Sequence, residues 1–171
     1  GCEAAVHAAR RFVEAMPDGH CMVKLDFANA FNSLRRDVML DAVRERVPGI
    51  YRFCHLAYNQ PSQLIYGGHT IMSQEGPQQG DPLGASLFCN AAQPLLLSLT
   101  SELTEGYMDD FTIGGPESQV AEDVEMIRRK GEEIGLKLNE KKCEFISSSA
   151  ISTEPMFQNF IHWRVQDAEL L

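Results

Sequence analysis

Tyr107-Met108-Asp109-Asp110 sets two carboxylates side by side just ahead of Phe111-Thr112-Ile113-Gly114-Gly115. The context reads as strand, tight turn, strand, with the Asp pair at the bend. Adjacent like charges in a half-buried hairpin destabilise it unless a cation binds there. A third carboxylate, Asp26, closes an alternating stretch from His20 to Phe27. Cys21, Val23, Leu25 and Phe27 point one way, and Met22, Lys24 and Asp26 point the other. If the two strands are neighbours in one sheet, Asp26, Asp109 and Asp110 converge on one open surface. Such a trio suits two divalent cations roughly 3.5–4 Å apart, the arrangement that drives in-line phosphoryl transfer. Mg²⁺ takes one or two carboxylates and completes its shell with substrate phosphates, so an acidic site finished by a nucleotide is chemically reasonable. Taken alone, an Asp-Asp pair is more often a solvated turn. The elements that would position the three acids decide between the readings.

Residues 3–16 carry a helical stripe of Val6, Ala9, Val13 and Met16, ended by Pro17-Asp18-Gly19. After the Asp26 strand, Ser33 is the expected N-cap of a helix running to about Val47, striped by Met39, Val43 and Val47 and stopped by Pro48-Gly49. Ile50, Phe53, Cys54 and Ala57 mark a second helix that stops near Pro61. Residues 63–66 and 69–73 around Gly67-Gly68 predict a β-hairpin. Asp81 is the expected N-cap and Pro82 the first residue of a long apolar helix from Leu83 to about Leu99, with Pro94 inside it. Past the Asp109-Asp110 hairpin, Val120, Val124, Ile127 and Ile134 stripe another helix, with Gly135 as its C-cap. Leu136-Lys137-Leu138 and residues 143–146 predict short strands around Lys141-Lys142, whereas 157–165 carry no clear period. The most economical architecture is α+β: a small antiparallel sheet with helices packed on one face.

Composition bounds the partners. At 171 residues, 44% hydrophobic and 23% charged, the chain suits one domain with a proper core. Asn90, Gln93, Pro94 and Ser98 break the longest apolar run, so none reaches membrane-spanning length. Five scattered cysteines without a CxxC pair argue against a zinc site or a disulfide framework and for a reducing compartment, and the expected location is intracellular, nucleus and/or cytoplasm. The net charge of −9 argues against a free-standing nucleic-acid binder. Gly1-Cys2-Glu3 at one end and Leu170-Leu171 at the other read as the cut ends of a longer product.

Four segments together resemble the reverse transcriptase family. Residues 24–31 (Lys-Leu-Asp-Phe-Ala-Asn-Ala-Phe) are similar to its motif A, and residues 79–83 (Gln-Gly-Asp-Pro-Leu) to motif B. Tyr107-Met108-Asp109-Asp110 is similar to motif C, and Gly135-Leu136-Lys137-Leu138-Asn139 with Lys141-Lys142-Cys143 to motif D. The four come in the family's order, and the style resembles non-LTR retrotransposons, although Met108 is the retroviral choice at its position. The resemblance implies a polymerase palm over residues 1–171, with a remnant of fingers and no thumb. The reaction it implies is RNA-directed DNA synthesis: a deoxynucleotidyl group passes to a primer 3′-OH on an RNA template. The cofactor implied is two Mg²⁺ ions, or Mn²⁺. Asp26 and Asp109 would hold both ions, Asp110 would be a weaker ligand, and the Phe27 carbonyl would help hold the metal on the triphosphate. Phe31 would be a steric gate against the ribose 2′-OH. Gln79 and Gly80 would contact the incoming nucleotide, and Lys142, in competition with Lys141, would serve the leaving pyrophosphate.

The family's basic fingers residues lie upstream of motif A, and its primer-gripping hairpin follows motif D; Trp163 to Leu171 is the expected start of that hairpin. An acidic palm is then consistent with basic parts lying elsewhere. The alternative reading is a catalytically inactive or co-opted retroelement fragment. An RNA-templated RNA polymerase fits Phe31 and Gln79-Gly80 poorly, and a nucleotide cyclase leaves residues 79–83 unexplained.

Overall fold

In the computed structural model, which describes residues 2–168, helices and strands follow in the order α1 (Cys2–Glu14), β1 (His20–Leu25), α2 (Ala30–Ser33), α3 (Arg36–Arg46), α4 (Pro48–Tyr58), β2 (Ser62–Tyr66), β3 (His69–Ser73), α5 (Gly84–Leu97), β4 (Leu103–Tyr107), β5 (Asp110–Pro116), α6 (Glu117–Ile134), β6 (Glu144–Ser147) and β7 (Ile161–Arg164). The main sheet has five strands in the order β4-β5-β1-β6-β7, and β2 and β3 form a separate hairpin. The sheet is antiparallel except at its last pair, β6 with β7. This is the expected α+β architecture.

The alternation along β1 divides the molecule. Cys21, Val23 and Leu25 are buried in the larger core with Phe27, beneath Leu87, Phe88 and Leu95 of α5 and Val120, Val124 and Ile127 of α6. Met22, on the other face, is also buried, packed with Val13, Leu103 and Ile146. α1 therefore adds a cover on the second face, at the His20 end, beyond the helices expected on one face. Full burial of a side chain such as Met22 stabilises by roughly 1.5–3 kcal/mol. Lys24 and Asp26 continue the same face and remain partly open.

Several boundaries differ from the sequence expectation, each for a local reason. α3 begins at Arg36, with Arg35 at its N-cap and no side-chain cap. Ser33 is not that cap, because its Oγ donates to the Asn29 carbonyl at 2.9 Å and closes the short α2 instead. α5 begins at Gly84, after Pro82, but Asp81 still serves the entry: its Oδ1 accepts the Leu83 N–H at 2.8 Å. Residues 136–138 make one bridge, Leu138 to Phe27, in place of a strand. α4 buries Cys54 and Tyr58, while Ile50, Phe53 and Leu56 face outward. Gly135 is the C-cap of α6 as expected, at φ 93°. Trp163 sits on β7, a parallel edge strand, where a hairpin was expected; residues 169–171 of that expected hairpin lie outside the described residues.

Candidate active site

The β1–β5 register decides where the acids go. Leu25 lies opposite Phe111 and Lys24 opposite Thr112. Carried one residue further, the register sets Asp26 opposite Asp110. Tyr107 pairs with Asp110, so the two-residue turn is Met108-Asp109, one residue earlier than the expected Asp109-Asp110 bend, and Asp110 already belongs to β5 because its backbone closes the ladder. Met108 adopts φ 58°, a left-handed conformation uncommon for a side chain other than glycine. Such strain costs of order 1–3 kcal/mol and recurs at functional sites.

Asp26, Asp110 and Lys142 line one open cavity of about 240 Å³, together with Lys24, Thr112 and Glu144. Burial raises the Asp110 carboxyl above its ordinary value, the neighbouring Asp109 and Asp26 charges raise it further, and Lys24 opposes them. Lys24 also pairs with Glu144 across the β1–β6 ladder, Nζ to Oε1 at 3.2 Å. Asp109 is exposed on the turn outside this cavity and acts on Asp110 through its charge. Lys141, unlike Lys142, does not line the cavity. Among the described residues no three acidic, His or Cys side chains are arranged to hold a metal by themselves. The expected trio is thus a facing pair with a third acid beside it. That donor set is all oxygen and fits a hard cation such as Mg²⁺, with the rest of the shell left to water and phosphate.

The segment 135–143 holds Asp26 by its backbone. The Asn139 N–H donates to the Asp26 carbonyl at 2.8 Å, and the Ala28 N–H donates to the Lys137 carbonyl at 2.8 Å. The Asp26 N–H donates to Cys143 Sγ at 3.4 Å. Burial pushes the Cys143 thiol up to about 11, so it stays a neutral acceptor near pH 7. This bridge uses the carbonyls of Asp26 and Lys137 and leaves the Phe27 carbonyl out. The Phe27 side chain is buried edge-on against Phe111, ring centroids 5.1 Å apart. Gly135 is pressed against the joint before α3: an added Cβ would overlap the Ser33 carbonyl, and the Arg35 N–H donates to the Ile134 carbonyl at 2.9 Å.

The remaining expected residues form a second group around α2. Phe31 is half-buried, stacked on Phe88 at 6.0 Å between centroids. Its ring also lies where a Cβ on Gly84 would press, at 2.9 Å. Gln79 Nε2 donates to Asn32 Oδ1 at 3.2 Å, and Gly80 is exposed at φ 88°. Chain continuity ties the groups together, because Phe31 follows Asp26 by five residues.

Residues 3–162 match the family model described as reverse transcriptase (RNA-dependent DNA polymerase). The chain belongs to the reverse transcriptase family. Its fold is similar to that of apo telomerase from Candida tropicalis, with a TM-score of 0.64 at 12% identity, covering 90% of this chain and 33% of that one. Telomerase from Candida tropicalis in complex with a TWJ fragment of telomeric RNA aligns with a TM-score of 0.60 at 14% identity, over 83% of this chain and 29% of that one. The Candida albicans telomerase complex with the same type of RNA fragment gives a TM-score of 0.51 at 15% identity, over 90% and 30%. The chain thus spans about a third of the length of these solved structures. No curated protein matches the sequence. Among the described residues no helix is long and apolar enough to cross a membrane.

Sequence reasoning about this reverse transcriptase segment missed two polar features. Asp123, buried on α6, accepts from the Ser101 N–H at 2.7 Å and the Thr100 N–H at 2.9 Å and anchors the approach to β4. Arg36 is also buried, although it stands at the start of α3. Its position was a usable signal, since Arg36, Leu40 and Val43 share one helical face and the latter two are core.

Proposed function

We propose that this chain is the palm of an RNA-directed DNA polymerase of the non-LTR retrotransposon type, which adds deoxynucleotides to a primer 3′-OH on an RNA template and releases pyrophosphate. The observation that carries the reading is the β1–β5 register, with Asp26 opposite Asp110 and Asp109 in the adjoining turn, in a chain of this family. Two Mg²⁺ ions, or Mn²⁺, would supply Lewis acidity and positive charge at the reacting phosphate. Asp26 and Asp109 would hold them, with Asp110 as a weaker ligand and the Phe27 carbonyl as an added neutral oxygen. Lys142 offers its proton or charge to the departing pyrophosphate from the same cavity as Asp26. Phe31 bars a 2′-OH, while Gln79 and Gly80 meet the incoming nucleotide, Gly80 presenting backbone with no side chain in the way.

Template and primer are held chiefly outside these residues in this reading. Phosphate binding comes from Lys and Arg with counterion release, and here 15 basic residues stand against 24 acidic ones. The test is primer extension on an RNA template with the full-length gene product that carries these residues. Template-dependent incorporation that needs a divalent cation and is lost in Asp26→Asn is the expected result. No extension by the wild-type product would sink the reading in favour of an inactive, co-opted retroelement fragment.

A further inference from the structure

A buried arginine without an acidic partner calls for an explanation. Arg36 forms no ion pair among the described residues, and its guanidinium is spent on neutral acceptors. Nε donates to the Gly76 carbonyl at 3.0 Å, Nη1 to the Ser73 carbonyl at 3.0 Å, and Nη2 to Ser73 Oγ at 2.8 Å. The guanidinium carbon lies 5.2 Å from the centre of the Tyr58 ring. Removing a cation from water this far destabilises the fold unless every donor is satisfied, and a well-packed apolar residue is often as stable. Arg36 therefore serves shape: its planar fork ties the end of β3 and the start of the following loop to α3.

Tyr58 continues the same network toward the exposed turn. Its hydroxyl donates to Asp81 Oδ2 and accepts the Gln78 N–H at 3.2 Å. Asp81 in turn caps the Leu83 N–H, and the Asp81 N–H donates to the Gln78 carbonyl at 3.1 Å. Burial, reinforced by Asp81, pushes the Tyr58 phenol up to about 12, so it remains a donor. From the other side, the Gly76 N–H donates to the Leu34 carbonyl at 2.7 Å, and a Cβ at Gly76 would overlap the Phe31 carbonyl. Residues 73–83 are thus gripped along their inner edge, while Gln79 and Gly80 project outward.

We propose that Arg36 and Tyr58 form a buried clamp that fixes the Gln79-Gly80 turn at a set distance from Phe31, and that both are positioning residues for nucleotide binding and sugar selection. The inference rests on the polymerase reading for its ligand, but the clamp itself rests only on the contacts above. Neither side chain touches nucleotide. Both act through the loop: Arg36 sets the height of Gly76 above the Phe31 backbone, and Tyr58 sets the pitch of the turn that ends at Asp81.

The experiment uses Tyr58→Phe and Arg36→Lys in the full-length gene product. Tyr58→Phe keeps the ring under the guanidinium and removes only the hydroxyl, so it is the variant that retains the fold. Extension kinetics with dNTP varied are measured beside hydrogen exchange of residues 73–83 and thermal melting. The expected result for Tyr58→Phe is a KM for dNTP raised about tenfold with kcat within about twofold, the pattern of binding lost equally from ground and transition states. Discrimination against ribonucleotides falls with it, and exchange at Gln78 and Leu83 rises while β1 is unchanged. Arg36→Lys, which keeps charge but loses the fork, shows the same pattern more strongly. A lowered melting temperature with wild-type KM, sugar ratio and loop exchange would overturn the proposal and leave Arg36 and Tyr58 as packing. If the wild-type product neither extends primers nor binds dNTP, the polymerase reading fails; the clamp then stands on faster loop exchange in Tyr58→Phe and falls if exchange is unchanged.

Discussion

The two ends of β1 present the same face of the same strand and do opposite things. At the His20 end Met22 is sealed under α1 with Val13, Leu103 and Ile146. Two and four residues on, Lys24 and Asp26 stand on that face only partly buried and line a cavity with Asp110 and Lys142. The difference is made by a neighbour, since alternation continues unbroken from Met22 to Asp26. The covered end supplies stability through apolar burial. The open end gathers like charges and a left-handed Met108, arrangements that lower stability and make sense where a cation and a charged substrate bind.

The sharpest way to break this comparison is to change one residue at each end. If Asp109 holds metal as proposed, Asp109→Asn in the full-length gene product should reduce primer extension about 10³-fold or more, since losing such a charge is worth several kcal/mol at the transition state. Its melting temperature should not fall. Extension near the wild-type rate would remove Asp109 from the site. Met22→Ala at the covered end should do the reverse. A cavity left in a packed core costs about 2–5 kcal/mol, visible in denaturant unfolding, while extension per folded molecule stays unchanged.

A smaller effect sharpens the open end. Phe31→Ala should shift the ratio of kcat/KM for deoxy- over ribonucleotides by about tenfold toward ribonucleotides, because discrimination resides in that ratio. Its stacking on Phe88 and its contact with Gly84 also predict lost stability. If stability falls and the ratio does not move, Phe31 belongs to the core alone.

The smallest expected effect concerns Asp110 in metal-free protein. Its carboxyl is raised by burial and by Asp109 and Asp26, so the folded state holds this proton more tightly than the unfolded state. The associated stability is present below the unfolded carboxylate pKa and is lost as pH rises through the folded one. Asp110→Asn should therefore raise the melting temperature at pH 7, by roughly 1–2 °C given the solvent-screened position, with the gain shrinking toward pH 4. Added Mg²⁺ should stabilise the wild type more than this variant. A gain that is flat with pH would show that the folded state does not raise the Asp110 carboxyl.

Much of this molecule was legible in the chain because its signals are local. Alternation over residues 20–27 needs only strand geometry, the α6 stripe from Val120 to Ile134 needs only helix geometry, and Gly135 needs only a left-handed C-cap. The flanks of Asp109-Asp110 declared a turn, although it falls on Met108-Asp109 and Asp110 opens β5, and the order of four motifs along the chain carried the family. Boundaries that depend on competition for one side chain were less legible. Ser33 has the right chemistry for an N-cap, but its hydroxyl went to Asn29, and Asp81 divides its carboxylate between Leu83 and Tyr58.

Long-range partners were decided only by the tertiary structure. Nothing local says that α1 covers Met22 but not Asp26, that Lys24 pairs with Glu144 at a separation of 120 residues, or that Cys143 sits beneath the Asp26 backbone. Arg36 shows the limit most clearly: its place on an apolar helical face was in the sequence, but its acceptors at Gly76 and Ser73 came with the folded loop. Side-chain types and spacing determined which groups were available for chemistry. Strand register, set by burying one whole face at a time, determined which of them meet.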